Sequence, residues 1–176
     1  LARTMLAEHE GADEAIVLPA ILLHDVGWKK IDPDHLADAV GPDATRPELV
    51  RDHEVFGVKI AQDILRRHEP QGVDIDAVLA IIDRHDTLKT ATSTEDAIVK
   101  DADKAWRFSP HGVATIGGWF GQETDVTLAM LEGFVLPTML TDTGHVMAHA
   151  MLAAGRAEAQ AASYLSRAGS REEPHV

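Results

Sequence analysis

Residues 14–30 read EAIVLPAILLHDVGWKK. An apolar body from Ala15 to Leu23 runs into an adjacent His24 and Asp25, then a glycine, a tryptophan and two lysines. Asp13 and Glu14 precede that body, and acidic groups are favoured where a helix begins. The run is too long for an average buried strand and suits a core helix. Pro19 predicts a new helical segment or a kink within it, and Gly27 reads as the residue that stops it. A helix that only packed has no use for an imidazole and a carboxylate side by side at its end. The pair is either the hydrogen-bonded cap of a core helix or one corner of a metal site.

Helical periodicity continues on both sides. Residues 2–10 form an amphipathic turn or two that Gly11 ends, and residues 28–47, with prolines and several aspartates, read as a loop with one short helix around 34–39. A long helix is predicted over 51–68, with Val55, Phe56, Ile60, Ile64 and Leu65 on one side and Pro70 beyond its end. A further helix over 74–85 takes Asp74 as its N-cap. Residues 86–94 are a polar loop, and Thr94-Glu95-Asp96 opens a helix to about Phe108, which Ser109-Pro110-His111-Gly112 breaks. Beyond it the pattern predicts a short helix, a turn near Gly117-Gly118, helices near 124–135 and 142–167, and a frayed tail over 168–176. Nothing alternates with period two. The expected fold is an all-α helical bundle forming one domain over 1–176, its chemistry within 1–108 and further helices at 112–167.

Composition narrows the function. The chain of 176 residues contains no cysteine, which removes disulfides, thiolate zinc sites and cysteine nucleophiles and suits a reducing cytoplasm. A net charge of −13 opposes partnership with a nucleic-acid polymer or an anionic membrane surface. It leaves a small phosphorylated substrate open, because bound cations reverse the field locally. No apolar run approaches the roughly 20 residues of a membrane span.

Ten histidines are many for this length, and their positions are informative. His24-Asp25 ends one helix, His53 lies at the start of the next long one, His85 ends the one after, and Asp101 and Asp103 lie within a fourth. Antiparallel packing of such helices brings residues of this kind together in a bundle core. Imidazole with carboxylate suits iron, manganese, cobalt, nickel or zinc, and two histidines with one carboxylate already make an open site.

His24-Asp25-Val26-Gly27 after an apolar helix resembles the defining motif of the HD-domain superfamily of metal-dependent phosphohydrolases. The match continues in order. His53 in DHEVFG is similar to the His that opens a later helix in the two-metal members, His85 in IIDRHD to their next ligand His, and Asp103 in DADK to the closing Asp. The resemblance covers residues 1 to about 108. The dipeptide alone is weak evidence, since His-Asp recurs by chance; four motifs in order are far more specific.

The resemblance implies an HD-type bundle with two divalent ions. His24, Asp25 and Asp103, with a His that opens the family pattern, would hold one ion, and Asp25, His53 and His85 the other, Asp25 bridging. The family's opening His stands about 24 residues before the dipeptide with Arg three positions after it; Arg3-Thr4 matches that flank, which places it immediately before Leu1. His9, 15 residues before His24, is a poor substitute. Asp86 reads as lying outside the ligand set, and Asp101, about 200° around the helix from Asp103, as facing away.

The reaction so implied is hydrolysis of a phosphate ester of a small metabolite or nucleotide by a metal-activated water, with Asp25 and Lys29 at the reacting centre. Lys29, Lys104 and Arg107 would meet phosphate oxygens, although each reads equally well as a solvated or acid-paired side chain. No side-chain nucleophile is required, in keeping with the lack of cysteine and of a Gly-x-Ser-x-Gly elbow. The same ligands also resemble those of a superfamily subset that cleaves C–P or C–C bonds with oxygen at a mixed-valent diiron centre. A helical module that has lost its chemistry is a third reading. Trp28, Trp106, Phe108, Trp119 and Phe120 read as core more readily than as a pocket lining. His145 and His149, spaced i, i+4 without the metalloprotease glutamate, read as structural or surface residues. The stretch VTLAMLEGFVLPTML (126–140) is core or an interface, which leaves a homo-oligomer open.

Overall fold

The computed structural model, which describes residues 1–169, contains nine α-helices and no strand among those residues. They are α1 (Ala2–Ala7), α2 (Glu14–Leu23), α3 (Leu36–Ala39), α4 (Glu48–His68), α5 (Ile75–Ile82), α6 (Thr94–Trp106), α7 (Pro110–Phe120), α8 (Thr124–Phe134) and α9 (Asp142–Gly169). Short 3₁₀ turns occupy Val26–Lys30, Pro33–His35 and Leu136–Thr138. The expected all-α bundle is what forms.

Helix starts follow local chemistry. Asp13 accepts from the Ala15 N–H, Asp74 from Ala77, Ser93 from Asp96 and Ser109 from Gly112. Each such cap stabilises by about 1 kcal/mol, because a helix leaves its first N–H groups without intrahelical acceptors.

Helix α2 is the central strut, packing against α5 and α6, while α4 packs on α5 and on the Val26–Lys30 turn. One contiguous apolar core runs from Ala2 to Leu152, with Val17, Ala20, Val78, Ile82, Ile98 and Phe108 at its centre. A smaller cluster of Ile31, Ala39 and Leu49, with Trp28 and Phe56 against it, covers the turn after the dipeptide. Of the 126–140 stretch, Leu128, Leu131, Val135, Leu136 and Met139 are core, whereas Val126 and Phe134 are exposed.

Five local expectations are corrected. Pro19 sits inside α2 without dividing it. Gly27 does not stop a helix: α2 ends at Leu23, and Gly27 lies within the 3₁₀ turn where a Cβ would stand 1.8 Å from the His53 carbonyl oxygen. Its role is close approach of two backbones. Gly117 and Gly118 lie within α7, and Gly121, in a left-handed conformation (φ 60°), is the residue that ends it. Ser109-Pro110 both breaks α6 and starts α7 one residue later, with Ser109 as N-cap and Pro110 in the first turn, where its missing N–H costs nothing. Helix α9 runs to Gly169, two residues into the stretch expected to fray, and residues 170–176 lie outside the described ones.

Candidate metal centre

The close pass of the Val26–Lys30 turn over α4 sets Asp25 beside His53. His24 and His85 are oriented by the same device at the ends of two helices. His24 Nδ1–H donates to the Ile21 carbonyl at 2.8 Å, and His85 Nδ1–H to the Ile82 carbonyl at 3.0 Å. A ring whose Nδ1 carries the proton presents a bare Nε2, and both Nε2 atoms face the same space. His53, fully buried on α4, stacks on Trp28 with centroids 4.0 Å apart, and the Trp28 indole N–H donates to Asp25 Oδ1 at 3.1 Å.

Two groups of donors result. His24 Nε2 lies 3.2 Å from Asp25 Oδ2 and 3.6 Å from Asp103 Oδ1. On the other side, Asp25 Oδ1 lies 3.6 Å from His53 Nε2 and 3.5 Å from His85 Nε2, and those two nitrogens are 3.3 Å apart. Asp86 Oδ2 closes this second group at 3.7 and 3.6 Å from the same nitrogens. Each group could hold a cation, its donor atoms all lying within 4.8 Å of one another. Asp25 belongs to both, one oxygen turned to each.

The spacing tests whether metal ions fit. Donors about 2.0–2.2 Å from one ion, at octahedral or tetrahedral angles, stand about 2.8–3.6 Å from each other. The observed separations match that range or slightly exceed it. His24 Nε2 is buried without a hydrogen-bond partner, as expected of a ligand atom. Donors that are all imidazole and carboxylate suit a divalent transition metal.

Electrostatics agree. Burial acts to lower the His24 pKa, but the neighbouring Asp103 and Asp25 carboxylates, 3.6 and 3.2 Å from Nε2, carry it up to about 11. Burial acts to raise Asp25, yet the neighbouring imidazoles of His24, His53 and His85 hold its carboxyl far below the usual carboxylate range. Asp103 is also lowered: Arg107 and His24 outweigh its burial. Positive charge belongs between these carboxylates.

Around the ligands stands a polar frame. Glu54, fully buried one residue after His53, accepts from the Asp86 N–H at 3.0 Å, the Thr87 N–H at 2.8 Å and the Thr87 hydroxyl at 2.8 Å. Arg51 bonds Glu54 Oε2 at 2.8 Å and Asp83 Oδ1 at 2.8 Å. The turn that carries His85 and Asp86 is thereby fastened to α4. Arg107 Nη2 donates to Asp103 Oδ2 at 2.7 Å and lies 3.7 Å from Asp86.

A cleft of about 430 Å³ opens beside the centre, lined by Asp25, Asp86, Asp103 and Arg107 at one end and by apolar side chains elsewhere. His24, Asp25, His53, His85 and Asp103 all meet at the centre. Two of the three cations do not join them. Lys29 is exposed and outside the cleft lining, and Lys104 donates to the Thr138 carbonyl at 2.5 Å, held there by the helix order that puts Thr138 beside α6. Asp101 does face away, accepting from the Leu140 and Thr141 N–H groups at 2.8 and 2.7 Å. His9 bonds its own turn at Met5, and His145 and His149 stack 6.4 Å apart on α9. Asp86 is the correction: it joins the second donor group. Trp28, Trp106, Trp119 and Phe120 line the cleft, and of the five aromatics only Phe108 is core.

A family model described as HD domain matches residues 2–105, more than half of the chain and a span that includes every residue of both donor groups. No curated protein and no solved structure matches the chain. The matched model, the all-α bundle and the convergence of His24, Asp25, His53, His85 and Asp103 lead to one assignment: the chain belongs to the HD-domain superfamily of metal-dependent phosphohydrolases.

Proposed function

We propose that the protein hydrolyses a phosphate monoester of a small metabolite at a dinuclear centre. The observation that carries this reading is the position of Asp25, whose two oxygens serve two separate donor groups. His24, Asp25 and Asp103 would hold one divalent ion, and Asp25, His53, His85 and Asp86 the second. Such a pair supplies a nucleophilic water of lowered pKa and charge neutralisation for the phosphoryl oxygens.

The protein's own residues do the rest. Arg107, positioned by Asp103, offers its remaining N–H groups to phosphoryl oxygens at the charged end of the cleft, the kind of preorganised donor that stabilises developing charge. Glu54 and Arg51 hold the His85–Asp86 turn, so the second donor group is set before substrate arrives. A charge of −13 keeps polyanions away, while a small ester reaches a site whose field cations have reversed. Among the described residues no helix is long and apolar enough to cross a membrane.

The test is reconstitution. The metal-stripped protein is loaded in turn with manganese, cobalt, nickel, zinc and iron(II), and phosphate release is followed over a panel of monoesters. Release that needs metal and disappears in Asp25→Ala supports the reading. Oxygen consumption with a mixed-valent diiron resonance and no phosphate release overturns it in favour of an oxygenase.

A further inference from the structure

The cleft joined to the metal centre is apolar to an unusual degree for a phosphate-ester site. Among the described residues its only charged lining is Asp25, Asp86, Asp103 and Arg107, all gathered at the metal end. Among the described residues no Ser, Thr, Asn, Gln, Lys or His lines it. The remainder is Trp28, Trp106, Trp119 and Phe120 on one hand, and aliphatic, methionine and phenylalanine side chains from α3, α7 and α8 on the other. The Trp28 indole N–H is already engaged by Asp25, which leaves the Trp106 and Trp119 indole N–H groups as donors on the wall and no side-chain acceptor outside the metal end among the described residues. The volume of about 430 Å³ lies within the range of pockets that enclose small organic ligands.

A sugar or nucleobase placed there would leave its hydroxyls and ring edges stripped of water without partners. Each such group weakens binding roughly ten- to hundred-fold. Specific sites for polar ligands avoid this with convergent donors and acceptors, and this wall has almost none. An alkyl or aryl group loses nothing of the kind and gains from leaving water.

We propose, building on the hydrolase reading, that the substrate bears its phosphoryl group on an apolar organic body, an alkyl or aryl alcohol, rather than on a sugar or nucleoside. The phosphate end meets the metal centre and Arg107, and the organic body lies along Trp106, Phe120 and Met130. Trp119 and Phe134, each 52% exposed, form the rim on α7 and α8.

The experiment uses a homologous series of n-alkyl phosphates from ethyl to decyl, with ribose 5-phosphate and AMP for comparison, on the metal-loaded full chain. All three tryptophans of the protein line the cleft, so their emission reports occupancy independently of turnover. The expected result is a kcat/KM that rises about four-fold per methylene until the cavity is full, with tryptophan emission shifting over the same order of affinities. Phe134→Ser, at a half-exposed position, should flatten that slope. AMP or ribose phosphate turned over better than octyl phosphate would overturn the apolar-body proposal and leave hydrolysis standing. Chain-length-dependent emission shifts with no hydrolysis under any metal would overturn the hydrolase reading and support the cleft assignment. Absence of any chain-length dependence, in turnover and in emission, would overturn the proposal.

Discussion

Gly27→Ala isolates the contact on which the centre depends. A Cβ built on Gly27 stands 1.8 Å from the His53 carbonyl oxygen and 2.5 Å from the Gly57 nitrogen, where real Cβ contacts essentially never fall below 3.0 Å. Reaching that limit requires the Val26–Lys30 turn and α4 to part by at least 1.2 Å at His53, the difference between 3.0 and 1.8. Both sides of the clash are backbone, so no rotamer change relieves it. Overpacking of this kind costs typically 1–3 kcal/mol, and the rigid partners put this case at the upper end, about 3 kcal/mol. For a chain of this size that is a fall in Tm of roughly 6–12 °C. The displacement also carries Asp25 away from His53, and ligand positions tolerate only about 0.2 Å, so the second ion should be lost before the first. The assay is urea unfolding together with metal content after dialysis, with Gly118→Ala as control. Gly118 lies inside α7 with nothing within 4 Å of a built Cβ, so its alanine variant should gain about 0.5–1 kcal/mol. A Gly27→Ala protein as stable as the parent and holding two ions would refute the reasoning.

Three further outcomes are expected. Glu54→Gln replaces a buried charged acceptor of hydrogen bonds from four donor groups and should cost about 2–3 kcal/mol in chemical unfolding. Burial opposes ionisation of Glu54, but Arg51 and the Thr87 and Asp86 donors outweigh it and keep its pKa below the ordinary value of 4.5. Its stabilisation is therefore present above pH 4.5 and lost as pH falls through the lower folded value, so the parent should lose more stability than Glu54→Gln between those limits in acid unfolding. Asp86→Ala should weaken one of two metal sites about ten-fold or more in calorimetric titration and leave the other unchanged; equal loss at both would contradict the two-group arrangement. Because His24 is held protonated up to about pH 11 in the metal-free protein, metal binding at pH 7.5 should release about one proton from it. Titration in buffers of different ionisation enthalpy measures this, and no release would mean His24 is not a ligand.

That these side chains could converge was readable from the residues, for a physical reason, while the ligand set came from the resemblance to the HD-domain motifs. His24, His85 and Asp103 lie at helix ends or within helices whose apolar periodicity is strong, and such helices pack in few ways. Asp86 was not readable in the same manner. Its direction is set by the turn after α5, which Glu54 fixes from 32 residues away by accepting the Asp86 and Thr87 N–H groups, and no local pattern encodes a contact that distant. Gly27 misled because a glycine after an apolar helix fits a helix stop and a backbone crossing equally well; only the position of α4 separates the two. The tryptophans misled similarly. Indole at helical spacing fills a core or walls a cleft according to what packs opposite, and here α7 and α8 leave the space open.

The charge distribution ties the centre to the rest of the chain. Three carboxylates, Asp25, Asp86 and Asp103, converge in a protein already at −13, and one guanidinium, Arg107, lies among them. Burying like charges at such distances is unfavourable unless positive charge accompanies them. In the metal-free chain a proton on His24 partly fills that role, which is why two carboxylates raise an imidazole whose burial alone would lower it. One proton and one arginine balance two of the three carboxylates. Under the proposed reading, two divalent ions would overbalance all three and would turn the end of an apolar cleft in an acidic protein into a site for a dianion. The same residues that make the centre electrostatically costly without cations would then make the loaded one favour a phosphate, and the uncharged wall beyond them would select what the phosphate is attached to.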